Sequence, residues 1–260
     1  MVIIFFDLII TSSLFSQYET INIGALGDSI STGFNSGGWG NREKKDSWTT
    51  GYSSQVDSHY KKIREILGDK IKVFNTAVAG AKVEDIPSQV DKLLSSSIDY
   101  LTILIGANDI CSWDNEYEAD FSKFKYTFTS SVERIVVSNP DIKIVLVPVP
   151  NLIALWEKGS QNRSCRFKWR MFGICKSLLS SDNTKEKRDL FSIKLNRVND
   201  FFYKISKLYS DNIRYNKTLG TYDFDFEHIS KRDCFHPSIS GQNLISDLTW
   251  SDGWFGEIYF

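Results

Sequence analysis

Residues 20–26, Thr-Ile-Asn-Ile-Gly-Ala-Leu, run straight into Gly27-Asp28-Ser29-Ile30, and this junction decides how the chain is read. The apolar run predicts a strand, and the glycine after it predicts the turn that ends it. A strand closed by a glycine-bearing turn is where α/β sheets carry their chemistry.

The pattern continues outward from there. Val56, Tyr60, Ile63, Ile66 and Leu67 fall at helix spacing within residues 55–67, and 71–75 reads as a second strand. A helix over 86–94 leads to residues 100–105 (YLTILI), an unbroken apolar run expected of a strand buried on both faces. Phe121, Phe124, Phe128, Val132 and Ile135 mark a long helix over 121–137, ahead of a fourth strand at 142–147. Residues 157–186 show no clear period and are expected to form a loop insertion. The alternation resumes with a helix over 190–208, a short strand at 212–215 and a last helix at 239–248. Strand–helix alternation of this kind predicts an α/β fold, a three-layer α/β/α sandwich around a central, mainly parallel sheet.

Composition narrows the class. The 260 residues are 42% hydrophobic and 24% charged, with 16 Gly and 5 Pro, which excludes a disordered, collagen-like or multi-span membrane chain. Lys plus Arg (31) nearly cancels Asp plus Glu (32), so no nucleic-acid partner is expected. The 14% aromatic content hints at apolar or carbohydrate ligands.

The N-terminal end and the cysteines bear on compartment. Residues 2–15 are almost wholly apolar, although Asp7 interrupts them and no Lys or Arg precedes them, and Ser16-Gln17 offers a cleavage point. Residues 1–16 are therefore expected to be a signal peptide, followed by one domain over 17–260, in a secreted, extracellular or periplasmic protein. The apolar run is shorter than the ~20 residues of a spanning helix. Cys111, Cys165, Cys175 and Cys234 contain no CxxC pair and no histidine at ligand spacing, so no metal is expected. An even count after a signal-like start implies disulfides. Of the possible connectivities, pairing Cys165 with Cys175 would close a short loop and leave Cys111 with Cys234.

Four blocks fall in order at strand ends or in the closing loop: Gly27-Asp28-Ser29-Ile30, Ala79-Gly80, Gly106-Ala107-Asn108-Asp109 and Asp233-Cys234-Phe235-His236-Pro237. Together they resemble the SGNH (GDSL) hydrolase superfamily over residues 20–245, which implies the flavodoxin-like form of the sandwich. The chemistry of the residues points the same way. A serine hydroxyl becomes a nucleophile when a base takes its proton, and His236 is the base in view for Ser29. Asp233, three residues earlier, can accept the Nδ1 proton of His236, or else cap its own loop and leave His236 in a dyad with Ser29. The resemblance implies an oxyanion hole formed by the backbone N–H groups of Ser29 and Gly80 and the side-chain amide of Asn108. No cofactor is implied. His59 and His228 are expected to be structural or on the surface. Gly-x-Ser-x-Gly is absent, which argues against the α/β-hydrolase elbow.

Residues 74–87, with Ser47-Trp48-Thr49-Thr50-Gly51 and the Asn108 and His236 blocks, resemble the phospholipase B-like branch. Ala107 stands where that branch often has a second glycine. This resemblance implies acyl esters of phospholipids or lysophospholipids as substrates, and it fits a Cys111–Cys234 pairing beside the catalytic blocks. From Lys158 to Lys176 there are six basic residues and no acidic one, interleaved with Phe167, Trp169, Met171 and Phe172, a pattern suited to peripheral contact with an anionic membrane. The alternatives are a carbohydrate O-acetyl esterase on the same scaffold, or a non-catalytic lipid- or glycan-binding module.

Overall fold

Five short strands pair side by side, all in parallel: β1 (Ile21–Gly27), β2 (Ile71–Asn75), β3 (Tyr100–Leu104), β4 (Lys143–Val147) and β5 (Ile213–Tyr215), in the order β2-β1-β3-β4-β5. The computed structural model describes residues 20–40 and 44–256, so the expected signal peptide lies outside the described residues. The helices are α1 (His59–Leu67), α2 (Ile86–Leu94), α3 (Ala107–Ser112), α4 (Glu118–Ser138), α5 (Leu152–Ser160), α6 (Arg163–Phe172), α7 (Lys176–Leu179), α8 (Lys185–Leu208) and α9 (Ile239–Ser251).

Parallel strands need crossovers, and the crossover helices cover both faces of the sheet. Strand alternation then divides the core in two. Leu101 and Ile103 of β3, with Ile144 and Leu146 of β4, pack against α2, α4 and α8. Tyr100 and Leu104, with Val145 and Val147, pack against α1 and α9. The expectation of a strand buried on both faces is met at every residue of β3.

Much of the aromatic content goes into this core rather than to a ligand surface. Phe124 and Phe128 of α4 interlock with Phe201 and Phe202 of α8, and the Phe128 and Phe202 ring centroids lie 4.6 Å apart. His59 is structural, as expected, but wholly buried. Its Nδ1 lies 2.8 Å from the Tyr100 hydroxyl and its Nε2 lies 2.9 Å from Thr249 Oγ1, joining α1, β3 and α9. Burial drives its pKa down to about 3, so it stays neutral.

Residues 157–186 correct the sequence reading, because they are mostly helical. Asn162 caps α6 by accepting from the backbone N–H of Ser164 and Cys165, and Gly173 closes it. The helix was hard to see because only Cys165 and Trp169 of its ten residues face the core, while Phe167, Met171 and Phe172 point outward. Apolar residues on both faces of a short helix blur the period that would mark it. Among the described residues, no helix is long and apolar enough to cross a membrane.

The packing of Phe128 gives a direct test. Phe128→Ala removes a fully buried ring from the contact between α4 and α8 and is expected to cost about 3–5 kcal/mol of unfolding free energy. Chemical denaturation measures this directly, and an unchanged midpoint would show that the α4–α8 seam contributes little.

Candidate active site

The site is built at the carboxyl ends of β1 and β3. Gly27 ends β1 with φ +144°, and a Cβ there would come within 2.1 Å of the Leu104 carbonyl oxygen, so only glycine lets the strands stay this close while the chain turns. Gln89 of α2 grips the same residue at both groups: its Nε2 donates to Gly27 O (3.0 Å) and its Oε1 accepts from Gly27 N–H (2.9 Å). The next two residues, Asp28 and Ser29, therefore project from a fixed base.

Ser29 meets His236 across the cleft. His236 Nε2 lies 2.9 Å from Ser29 Oγ, and Nδ1 lies 2.7 Å from Asp233 Oδ2. With the ring proton on Nδ1, that atom donates to Asp233 and Nε2 is free to accept from the serine hydroxyl. Asp233 also caps its own loop: Oδ1 accepts from the backbone N–H of Phe235 (2.9 Å) and His236 (3.0 Å). The two roles considered for Asp233 therefore coexist on its two oxygens. Burial would raise its pKa, but the hydrogen bond and charge of His236, with the Asn35 amide, bring it down to about 2.

Asn35 carries no local signal of its partner in the sequence. It adopts a left-handed conformation (φ +58°) and donates from Nδ2 to Asp233 Oδ2 (2.5 Å). Its own carbonyl accepts from Ser230 Oγ (2.7 Å), and its Oδ1 accepts from Gly40 N–H (2.9 Å). A further bond from Ser36 Oγ to Pro237 O (2.9 Å) completes the stitching of the nucleophile turn to the His236 loop. An asparagine six residues beyond the Ser29 turn was the available signal, but nothing local reveals a partner 198 positions away.

Gly80 and Asn108 are joined to the same edge. The Val78 N–H donates to Gly27 O (3.1 Å), and Asn108 Nδ2 donates to Ala81 O (2.9 Å), leaving its second amide proton for another acceptor. Gly80 has φ +84° with open space where a Cβ would stand, so its backbone conformation requires glycine rather than crowding by neighbouring protein atoms. Among the described residues, neither the Ser29 N–H nor the Gly80 N–H donates to a protein acceptor. Ser29, Asn108 and His236 line one cavity, whose other walls are largely apolar and include Leu152, Leu155, Phe224 and Phe235. Gly80 is not among its lining residues. His228 does line this cavity, which adds to the structural role expected of it: its Nδ1 accepts from Asp225 N–H (3.1 Å). Among the described residues, no cluster of side chains is suited to a metal ion.

The disulfides are Cys111–Cys175 and Cys165–Cys234, which corrects both expected pairings. The physical reason is α6. Cys165 lies in its first turn and faces the His236 loop, while about 10 Å of helix runs on from it to Phe172 before the chain turns at Gly173 to Cys175. The inner face of α6 instead lies on the His236 loop, with Trp169 Nε1 donating to Cys234 O (3.0 Å) and Cys165 beside Cys234. Cys175 turns back to the end of α3, where Ser177 Oγ donates to Cys111 O (2.9 Å).

Two buried carboxyls flank the site. Burial pushes Asp28 up to about 6, against the opposing Ile30 N–H bond and the charge of His236. Burial likewise pushes Asp109 up to about 7, against its bond from Val83 N–H and the charge of Lys82. The folded chain therefore holds protons that the unfolded chain gives up near its ordinary pKa of about 3.9. Their stabilising contribution is complete below that value and is lost as pH rises through about 6 and about 7. Asp109→Asn keeps an acceptor for Val83, and its melting temperature is expected to fall less between pH 5 and 8 than that of the parent protein. Parallel melting curves across that range would contradict this account.

The family model described as GDSL-like lipase/acylhydrolase matches residues 23–249. Among solved structures, the lipase/acylhydrolase from Enterococcus faecalis is 18% identical, with a TM-score of 0.54 over 88% of this chain and 93% of that one. An acetyl xylan esterase is 16% identical, with a TM-score of 0.53 over 89% and 98%. Phospholipase A1 from Streptomyces albidoflavus is 15% identical, with a TM-score of 0.50 over 91% and 97%. At these identities the likeness is one of fold, and no curated protein sequence matches the chain. Because the family model spans most of its length, from within β1 to within α9, the chain belongs to the GDSL-like lipase/acylhydrolase family.

Proposed function

We propose that the protein is a secreted serine esterase, a single domain after its signal peptide, cleaving acyl esters of phospholipids or lysophospholipids that it meets at an anionic membrane surface. The observation that carries this reading is the line from Ser29 Oγ through His236 to Asp233, opening beside an apolar cavity. The two disulfides fit an oxidising compartment.

In this mechanism Ser29 Oγ attacks the ester carbonyl carbon while its proton passes to His236 Nε2, and Asp233 stabilises the resulting imidazolium. The tetrahedral oxyanion is met by the N–H groups of Ser29 and Gly80 and the free amide proton of Asn108. Collapse expels the alcohol, which takes the proton from His236 and leaves an acyl-serine. Water then attacks the acyl group, giving its proton to His236, and the second collapse releases the acid and returns the proton to Ser29. The walls of the cavity favour an acyl chain over the hydroxyl-rich face of a sugar, because they offer few partners for displaced hydrogen bonds.

Ser29→Ala is expected to lower kcat/KM for a p-nitrophenyl ester by at least about 10³-fold and to abolish fluorophosphonate labelling. Turnover at the parent level would overturn the nucleophile assignment, and turnover restricted to acetyl esters would replace the lipid substrate with a carbohydrate one. Asn35→Gly keeps the left-handed backbone but removes the bond to the Asp233 carboxylate. It is expected to lower kcat by about 10- to 100-fold with little change in KM, the scale of a charged hydrogen bond. An unchanged kcat would show that the other contacts suffice to orient Asp233.

A further inference from the structure

We infer that α6 and the groove beside it form a lipid-surface binding site, in which unpaired cations hold the phosphate groups of an anionic bilayer and exposed apolar side chains enter its interface. The inference rests on the lipid reading above and assigns it a surface.

The inner face of α6 is committed to the fold. Cys165 is bonded to Cys234, and Trp169 is buried with its ring nitrogen on Cys234 O. The other face presents large apolar side chains to solvent: Phe167 is 64% exposed, Met171 55% and Phe172 46%. Trp39, 67% exposed on the loop after Asn35, meets Phe172 edge-on with ring centroids 6.4 Å apart. These residues come from two separate segments, so a local need of one loop does not explain the patch. Exposed aromatic and aliphatic side chains beside cations are the composition of an interfacial helix.

The charge beside this patch is sorted by the fold rather than by sequence position. Lys158 pairs with Asp223 (3.0 Å) and Asp225 (3.5 Å), so it drops out of the basic run. Arg188, from α8, takes its place. Its guanidinium lies 4.4 Å from the Trp156 ring centroid and donates to the carbonyl oxygens of Ser180 and Asn183, neutral partners that orient it without cancelling its charge. Arg163, Arg166, Arg170, Lys176 and Arg188 line one groove, with Asp182 its sole acidic lining residue. Among the described residues, none of these five cations forms an ion pair with a carboxylate.

An anionic bilayer satisfies both features at once, with phosphates for the cations and the acyl boundary for Phe167, Met171, Phe172 and Trp39. A soluble polyanion or a nucleic acid would leave the apolar residues in water. The placement also serves catalysis. α6 is bonded to the loop bearing Asp233 and His236, and Leu152 and Leu155 of the preceding helix line the Ser29 cavity.

The test uses Ser29→Ala protein, so that vesicles stay intact, sedimented with phosphatidylcholine vesicles or with mixed phosphatidylcholine–phosphatidylglycerol vesicles. Preferential binding to the anionic vesicles is expected, weakened but not abolished by high salt. Adding Arg166→Ser, Arg170→Ser and Lys176→Ser is expected to reduce partitioning by about 100-fold. Adding Phe167→Ser and Met171→Ser should reduce it independently. In the Ser29 background, both sets should leave turnover of a soluble short-chain ester and the melting temperature near parent values. Equal binding to neutral and anionic vesicles, or unchanged binding after removal of the three cations, would overturn the site. So would binding to heparin that matches vesicle binding and ignores the apolar substitutions, which would mark a polyanion site instead. Failure to bind vesicles with ester turnover intact defeats this site alone. Vesicle binding without hydrolysis of any phospholipid by the parent enzyme defeats the substrate reading alone.

Discussion

The contact between the Gly27 α-carbon and the Leu104 carbonyl is the constraint on which the site depends. It lets β1 and β3 end side by side at the point where the sheet order reverses, β2 lying on one side of β1 and all later strands on the other. Crossover connections leave in opposite directions from such a point, so the cleft above it opens without being excavated from the core. Ser29 rises from one strand end, Asn108 from the other, and the Gly80 loop is tied to both through Val78 and Ala81. Gln89 fixes this floor from below, with the oxygen and the nitrogen of its side-chain amide both bonded to a single glycine.

The roof of the cleft comes from elsewhere in the chain and is held by different forces. The His236 loop is not part of the sheet. It is fixed by Asn35 and Ser36 on the nucleophile side, Asn35 also accepting from the loop's own Ser230, and by Trp169 and a disulfide on the other. The two disulfides tie one helical segment, α6 and α7, to both the Asn108 block and the His236 block. Floor and roof are therefore coupled through the segment that also carries the exposed cations.

What the sequence reveals follows physical locality. The three inner strands, β1, β3 and β4, were legible because each is a short apolar run that a sheet covered on both faces requires, and the more exposed edge strand β2 and helix α2 fall on their expected residues. Ser29, Asp233 and His236 were legible because each lies in a short local motif, the Gly-Asp-Ser turn or the Asp-Cys-Phe-His loop, and the structure brings all three together. Asn35 was invisible because its meaning lies in a partner near the other end of the chain. The disulfide pairing failed for a related reason: without seeing α6 as a helix, Cys165 and Cys175 look close. The aromatic content divides between core and surface in a way that composition does not reveal, since it does not distinguish Phe128, sealed between two helices, from Phe167, standing in water.

The separation between Ser29 and His236, 207 positions, carries a consequence for how the protein is made. Contacts between distant parts of a chain are the slowest to form, since a long loop must close before they return any energy. Every strand of the sheet lies between these two residues or just before them, so the loop that closes when they meet contains nearly the whole α/β layer structure. The proposed nucleophile thus remains without its base throughout synthesis and early collapse. A hydrolase organised this way is silent as a nascent chain, and the first turnover event marks the completion of folding.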